Sequence, residues 1–180
     1  MADGQRIVVL GFENRFAAQD ALATVMRLQL EGKMLVRDAT FVSVDHHWRA
    51  RLDGTGSACP GRLALGDAGW GLLFGSILLV PIAGKAVHGC TSSLMANLVA
   101  SGVRYRFVKE LRESVQPGMT CLALLVSQGN RDTVLAELGR FHGIAELVDG
   151  SLPDEAVGLI QEALVAATAT QGTEPVNAVP

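Results

Sequence analysis

The sequence predicts an α+β fold: a ferredoxin-like βαββαβ core with a C-terminal αβα extension and an inserted glycine-rich apolar helical hairpin. Two observations support this class. Short β-branched runs alternate with segments of helical periodicity, and without segment 63–103 their order is that of a split βαβ fold. Segment 63–103 is almost uncharged and spaced by glycines, as in a helical hairpin. We therefore expect an α/β domain from 1–62 and 104–167, the hairpin at 63–103, and a disordered tail at 168–180.

The first half of the chain predicts a strand, a helix and two further strands. Asn14 suits the N-cap of the helix, and Gly32 suits its end. Asp45-His46-His47 lies between two alternating segments, so we expect a tight turn between antiparallel partners. The predicted elements are a strand at 6–12, a helix at 15–31, and strands at 36–44 and 48–52.

The second half predicts helices and strands in alternation. Pro117-Gly118 is typical of a type II turn leading into a strand. Gly143 ends one helix, and Ser151 with Asp154 three residues later begins the last. The predicted elements are a helix at 104–115, a strand at 119–127, a helix at 130–142, a strand at 144–148 and a helix at 151–167.

The apolar segment divides at Pro81, which lacks an N–H group and disfavours helix at the residue before it. Pro81 is therefore the predicted apex of the hairpin. Its arms, 63–80 and 82–103, would measure roughly 27 and 33 Å, against a hydrocarbon core of roughly 30 Å. A helix that is apolar on every face needs lipid or the interior of a large assembly. Because a chain of 180 residues has little interior, we expect membrane insertion, re-entry or self-assembly.

Basic residues on both sides of this segment predict the orientation. They are Arg49, Arg51 and Arg62 before it and Arg104, Arg106 and Lys109 after it. Both ends of an inserted hairpin would then lie on the cytoplasmic side. The polar N-terminus offers no apolar signal-peptide segment. We expect the cytoplasmic face of the inner membrane, or alternatively the cytoplasm.

Small residues recur at four-residue spacing in both arms, which allows close approach of helix backbones in lipid. The predicted self-association residues are Gly71, Gly75, Gly84, Ser92, Ala96 and Ala100. His88 is the one large member of the second stripe and a candidate for lining a site. The alternative is that the small residues fill a tight αα-hairpin of a soluble protein.

The amino-acid composition and net charge limit the classes of function that the sequence supports. Mean hydropathy is +0.30, and 49% of residues are hydrophobic but only 18% charged, an excess that comes mostly from the hairpin. The net charge of -3 shows no basic excess that would recruit nucleic acid. Three cysteines without a CxxC pair argue against a disulfide framework. We expect reduced thiols and no nucleic-acid partner.

No constellation of catalytic or metal-ligating residues stands out. Asp45, His46 and His47 are adjacent and so point apart, which favours a solvated turn over a metal site. His88 and Cys90 are two apart on a predicted helix and do not share a face. Cys121 lies in an apolar strand and is interpreted as a small buried hydrophobe. Neither Gly54-x-Gly56 nor Gly84-Lys85 continues into a phosphate loop. We expect no enzyme activity, no cofactor and no bound metal.

Several short motifs resemble a known family. They are Gly11-Phe12 with Asn14 and Ala17, Trp70-Gly71 with Leu73 and Gly75, Pro81 with Gly84, Gly102-Val103, the run Phe107-Val108-Lys109-Glu110-Leu111, and Pro117-Gly118 with Leu122 and Leu125-Val126. Together they resemble the bacterial membrane-associated domain-of-unknown-function family 1269, over residues 7–142. The resemblance implies a membrane-associated, glycine-rich hairpin in a small α/β domain. It implies no activity, substrate or catalytic residue.

These observations together predict a non-enzymatic, membrane-associated protein that self-associates through the hairpin. The main alternative is a soluble oligomeric ligand-binding or regulatory module whose hairpin is buried at a subunit interface, with an intersubunit sheet. A third class, an enzyme with a pocket between sheet and hairpin, has no residue pattern in its favour. The sequence names no small-molecule ligand.

Overall fold

The computed structural model describes residues 5–54, 66–78, 91–128, 131–141 and 145–171. This part of the chain contains five strands and six α-helices, which confirms the predicted α+β class. A short 3-10 helix, Gly139–Phe141, follows the fifth α-helix. In chain order the elements are β1 (Gln5–Phe12), α1 (Arg15–Leu30), β2 (Leu35–Val44), β3 (Ala50–Gly54), α2 (Gly66–Leu78), α3 (Thr91–Ala100), α4 (Tyr105–Ser114), β4 (Thr120–Gln128), α5 (Arg131–Leu138), β5 (Ala145–Leu152) and α6 (Asp154–Gln171).

The five strands form one sheet in the order β3-β2-β4-β1-β5. Every neighbouring pair is antiparallel. In the middle of β1, Val9 lies opposite Ala123 of β4 on one side and opposite Val148 of β5 on the other. Both faces of β1 and β4 are buried, which explains why these two strands are continuous apolar runs rather than alternating ones.

The strand order corrects the predicted assignment of the core. The sequence predicts that the first four strands, with α4 as the second crossover helix, form the βαββαβ unit, and that order requires β3 beside β1. Instead β3 pairs with β2 alone at one edge, and β4 lies between β1 and β2. The physical reason is burial, because β4 is apolar on both faces while β3 is short and carries Arg51 and Asp53. A charged, short strand suits an edge.

Helices cover both faces of the sheet, but unequally. One face, which includes Val8, Leu10 and Phe12, packs against α1 and against Leu138 of α5. The opposite face, which includes Ile7 and Val9, packs against α2, α3, α4 and α6. The element predicted to be the second core helix, α4, is therefore on the face opposite α1.

Helix α2 is buried within the chain itself. Trp70, Phe74 and Ile77 are fully buried, and the helix contacts β2, β3, α3, α4 and α6. The expectation that a chain of this length has little interior to offer such a helix is therefore corrected, because α2 packs with α3, α4 and α6 on one face of the sheet. In the described residues, no helix combines the length and apolarity needed to cross a membrane.

The predicted hairpin is represented by α2 and α3, which contact each other. The described helical residues, 66–78 and 91–100, lie within the predicted arms, 63–80 and 82–103. The predicted apex, Pro81, lies outside the described residues. A hairpin that spans or re-enters a membrane thus stays a prediction.

Local sequence signals identify most element ends. The side chain of Asn14 accepts a hydrogen bond from the N–H of Ala17 at 2.8 Å and caps α1. Gly118 has φ +87 in a turn closed by the Met119 N–H to the Gln116 carbonyl at 3.1 Å, as a type II turn requires. The strand predicted at 48–52 begins only at Ala50, since Trp48 adopts φ 57 and belongs to the turn. The last helix continues to Gln171, into the segment predicted to be disordered.

Burial of α2 inside the protomer can be tested with two phenylalanines. Phe74 of α2 is 0% exposed, whereas Phe16 of α1 is 80% exposed. We expect Phe74→Ala to lower the free energy of unfolding by about 3–5 kcal/mol, and Phe16→Ala to change it by less than about 0.5 kcal/mol. Denaturant unfolding in detergent-free buffer measures both. Equal effects of the two substitutions would contradict the burial of α2 in the core.

Candidate functional site

Among the described strands, β5 forms one edge of the sheet and has β1 as its only neighbour. The pairing runs from Gln5 opposite Leu152 to Phe12 opposite Ala145. In an antiparallel pair, alternate residues direct their backbone N–H and C=O groups away from the partner strand. Half of the backbone hydrogen-bonding groups of β5 therefore point outward from the sheet, which is the usual starting point for strand addition.

This edge lies in a groove of about 550 Å³, within the roughly 300–1,000 Å³ range of ligand sites. Because α4 and α5 cover opposite faces of the sheet, the groove has a wall on each side of β5. Its lining comprises Arg6 of β1, Arg104, Arg106, Phe107 and Glu110 from α4 and its N-cap, Leu135 of α5, and Leu147, Asp149, Gly150 and Ser151 of β5.

Gly150 sets the position of the α4 wall. A Cβ atom at this residue would lie 2.4 Å from Cδ2 of Phe107, a separation that no packed structure tolerates. The ring of Phe107 thus rests directly on the backbone of β5. A glycine inside a strand often marks such a close approach, and here it brings the N-terminal end of α4 to the sheet edge.

The charges in the groove are unequally paired. Arg6 forms a two-pronged ion pair with Asp149, with Nε 3.1 Å from Oδ1. Arg106 donates to Glu110 at 2.7 Å, and this hydrogen bond raises the pKa of Arg106. Arg104 makes no hydrogen bond or ion pair through its side chain to another described residue. Among the described lining residues, three guanidinium groups and two carboxylates give the groove a net positive charge.

The backbone at Arg104 strengthens this positive character. Arg104 is the N-cap of α4 but provides no side-chain cap, and the first turn of α4 has no acidic residue. The first N–H groups of a helix carry a partial positive charge that anions neutralise. The groove can therefore accept carboxylate or phosphate oxygens beside Arg104.

The predicted self-association residues do not share one surface. Gly71 and Gly75 are buried in α2, whereas Ala96 and Ala100 are exposed on α3. Ser92 lies in the first turn of α3. Gly84 and His88 lie outside the described residues. Self-association through these positions stays a prediction.

The structure also describes Asp45, His46, His47 and Cys121, which are candidate site residues in the sequence. Asp45 Oδ1 accepts from the N–H groups of His47 at 2.8 Å and Arg49 at 2.9 Å, which lowers the pKa of Asp45. The predicted solvated turn is confirmed, since all of its residues are exposed. Cys121 is buried in β4. Within the described ranges, no group of three His, Cys, Asp or Glu side chains could hold a metal ion.

Sequence reasoning misses the groove because its residues are distant in the chain. In the sequence, Arg104 and Arg106 stand out only as flanks of the apolar segment, and Glu110 as part of a charged helix face. Arg6 and Asp149 do not stand out at all. The one signal is Gly150, an isolated glycine next to an acidic residue in a strand.

Comparison with known proteins identifies a family but no characterised relative. The family model described as "Protein of unknown function (DUF1269)" matches residues 64–165, more than half of the 180-residue chain. No curated protein and no solved structure matches the chain. The matched range includes α2 to β5, most of α6, and the whole groove except Arg6. The chain belongs to the DUF1269 family.

Proposed function

We propose that this protein is a non-enzymatic binding module whose groove along β5 takes an extended, acidic segment of a partner polypeptide. The observation that carries the proposal is that the outer edge of β5 pairs with no described strand and forms the floor of a positively charged groove. The partner segment would become the sixth strand of the sheet. In this mode main-chain hydrogen bonds supply affinity, and side-chain contacts at alternate positions supply specificity.

Arg104 is the residue that selects for acidic side chains. Arg6 is engaged by Asp149 and Arg106 by Glu110, so binding a new carboxylate there means giving up an existing partner. Arg104 has no side-chain partner among the described residues and can bind a carboxylate without losing one. An arginine and a carboxylate can form two parallel hydrogen bonds, and a hydrogen bond to a charged group contributes about 1.5–3 kcal/mol.

The walls of the groove favour a peptide segment over a second copy of this chain. A second copy would bring its own α4 and α5 to the same edge, where the two pairs of helices would compete for the space beside the strands. A single extended segment has no such flanks. The exposed side chain of Leu147, 41% accessible, offers an apolar contact for one of its residues.

We also propose that the fold has a ferredoxin-like βαββαβ core, but that different strands and helices form it than the sequence predicts. We assign the core to β1, α1, β2, β4, α5 and β5. In favour of this assignment, β4 lies between β1 and β2, β1 lies between β4 and β5, and α1 and α5 pack on the same face. Then β3, α2, α3, α4 and α6 are additions, and β5 is the exposed edge of the core.

Strand addition at β5 predicts a specific pattern of peptide binding. We expect a fluorescent peptide of four Thr-Glu repeats to bind, and the matched Thr-Lys peptide not to bind at millimolar concentration. Arg104→Ala should weaken binding of the acidic peptide about tenfold, the equivalent of about 1.4 kcal/mol. Arg27→Ala on α1, remote from the groove, is the control. Fluorescence anisotropy measures all four.

A backbone-modified peptide separates strand addition from simple charge attraction. N-methylation of alternate residues in the Thr-Glu peptide removes the N–H groups of one edge while keeping every carboxylate. Strand addition requires that binding be lost when the methylated edge faces β5. Two methylated peptides are compared with the parent, one methylated at every Thr and one at every Glu. The proposal would be refuted if all three peptides bind with equal affinity, or if Arg104→Ala has no effect.

A second candidate function is self-assembly at the cytoplasmic face of a membrane, as the sequence suggests. One observation favours it: α3 exposes the small side chains of Ala96 and Ala100 next to Val99, which is itself exposed. This face can approach another helix closely. Because Gly71 and Gly75 are buried, we place the contact on α3 alone.

Assembly through α3 can be separated from apolarity. Ala96→Leu and Ala100→Leu enlarge the contact residues, so we expect a lower oligomer order in crosslinking, with sedimentation on liposomes unchanged. Lys109→Leu adds apolar surface on α4 and is the control. This second function would be ruled out if the wild-type chain runs as a monomer without detergent and stays in the supernatant when liposomes are sedimented.

A further inference from the structure

We infer that the end of the sheet at the β2–β3 turn is a binding site for the phosphate group of a small phosphorylated ligand. The site is separate from the groove along β5. It is a pocket of about 340 Å³ at the carboxyl end of β2 and the start of β3 and β4. The side chains that carry the inference are Arg49, Arg51, His46, Ser43 and Thr120.

The sheet register places three of these residues in one row. Ser43 of β2 lies opposite Arg51 of β3 on one side and opposite Thr120 of β4 on the other. Residues directly opposite each other in an antiparallel sheet point to the same face and are about 4.5–5.5 Å apart at Cβ. A guanidinium and two hydroxyl groups therefore line the same side of the pocket.

The turn adds two further donors above this row. Asp45 holds the turn by accepting the N–H groups of His47 and Arg49, which fixes the backbone from which His46 and Arg49 project. The ring of His46 lies beside Gly118, where an added Cβ atom would be 3.9 Å from Cε1 of the ring. Gly118 is held in turn by its N–H bond to the Val44 carbonyl at 2.8 Å.

In the described part of the chain the two arginines form no direct ion pair, although the charge of Asp45 acts on Arg49 from within the same turn. Arg15 pairs with Asp53, Arg27 with Glu31, and Arg140 with Glu137. Neither Arg49 nor Arg51 makes an ion pair or a side-chain hydrogen bond with another residue in the described part of the chain. Asp45 is the only acidic residue that lines the pocket among the described residues, and its Oδ1 is occupied by backbone N–H groups.

These donors match a phosphate monoester better than a carboxylate. A phosphate presents three strongly accepting oxygens and close to two negative charges at neutral pH. Two guanidinium forks and two hydroxyl groups can satisfy all three oxygens, whereas a carboxylate would leave donors unused. Arginine is the residue best suited to such planar, paired recognition. The volume admits a phosphate and the first group attached to it.

Trp48 provides an internal reporter for this site. It is 50% exposed in the same turn, between His47 and Arg49, while the other tryptophan of the chain, Trp70, is fully buried in α2. Ligand binding at the turn should therefore change the fluorescence of one tryptophan. Trp48→Phe removes that signal and identifies its source.

Titration of the full chain with inorganic phosphate, followed by Trp48 fluorescence and by calorimetry, tests the inference. We expect saturable binding that Arg51→Gln and Arg49→Gln each weaken at least tenfold, and that Arg51→Lys weakens less. Arg27→Gln on α1, which lines neither the turn pocket nor the β5 groove, is the matched control and should leave phosphate binding unchanged. Circular dichroism confirms that each variant is folded.

Two phosphorylated ligands are compared to identify the kind of molecule that carries the phosphate group. Adenosine monophosphate and glycerol 3-phosphate distinguish a nucleotide from a sugar or lipid headgroup, because only the nucleotide can stack on Trp48. Sodium chloride at equal ionic strength must not reproduce the signal. Phosphate binding that is absent, equal to that of chloride, or unaffected in both folded glutamine variants refutes the inference.

Discussion

The enclosure of α2 is the constraint on which the rest of this structure depends. Apart from Asp67 and Ser76, this helix consists of apolar residues and glycines, and Trp70 and Phe74 are fully buried, so one sheet face cannot cover it alone. Helices α3, α4 and α6 complete its surroundings. Burying apolar surface at roughly 25 cal/mol per Å² makes this arrangement the main stabilising feature of that face. The positions of α4 and α6 are consequences of it.

The position of α4 in turn creates the groove. To cover α2 and remain against the sheet, α4 packs Phe107 onto the backbone of Gly150, which brings Arg104 to the edge of β5. The same sheet edge carries Asp149, whose charge is neutralised by Arg6. The packing of an apolar core thus determines where Arg104 meets an edge of the sheet, neither of them having a partner among the described residues. The described residues that line the groove belong to helices α4 and α5, strands β1 and β5, and the N-cap of α4.

Most individual elements could be predicted from the sequence, but their arrangement could not. Caps and turns at Asn14 and Gly118 act over a few residues, so the local pattern contains the information for them. The choice of β4 rather than β3 as the neighbour of β1 depends on competition among all strands for burial, which periodicity within one strand does not record. The interior that receives α2 likewise arises only when four helices assemble. The groove escapes prediction for the same reason, since Arg6, Arg104 and Asp149 come together only in the folded sheet.

The two proposed sites differ in their relation to the family. Residues 64–165, which match the family model, contain the two walls of the β5 groove and its floor. The turn pocket draws Ser43, Arg49 and Arg51 from before that range and only Gly118, Met119 and Thr120 from within it. Strand addition at β5 is therefore a hypothesis about the segment that defines the family. Phosphate binding at the turn concerns the part of this chain that precedes that segment, and β4 physically joins the two, because it contributes Thr120 to the pocket and pairs with β1 beside the groove.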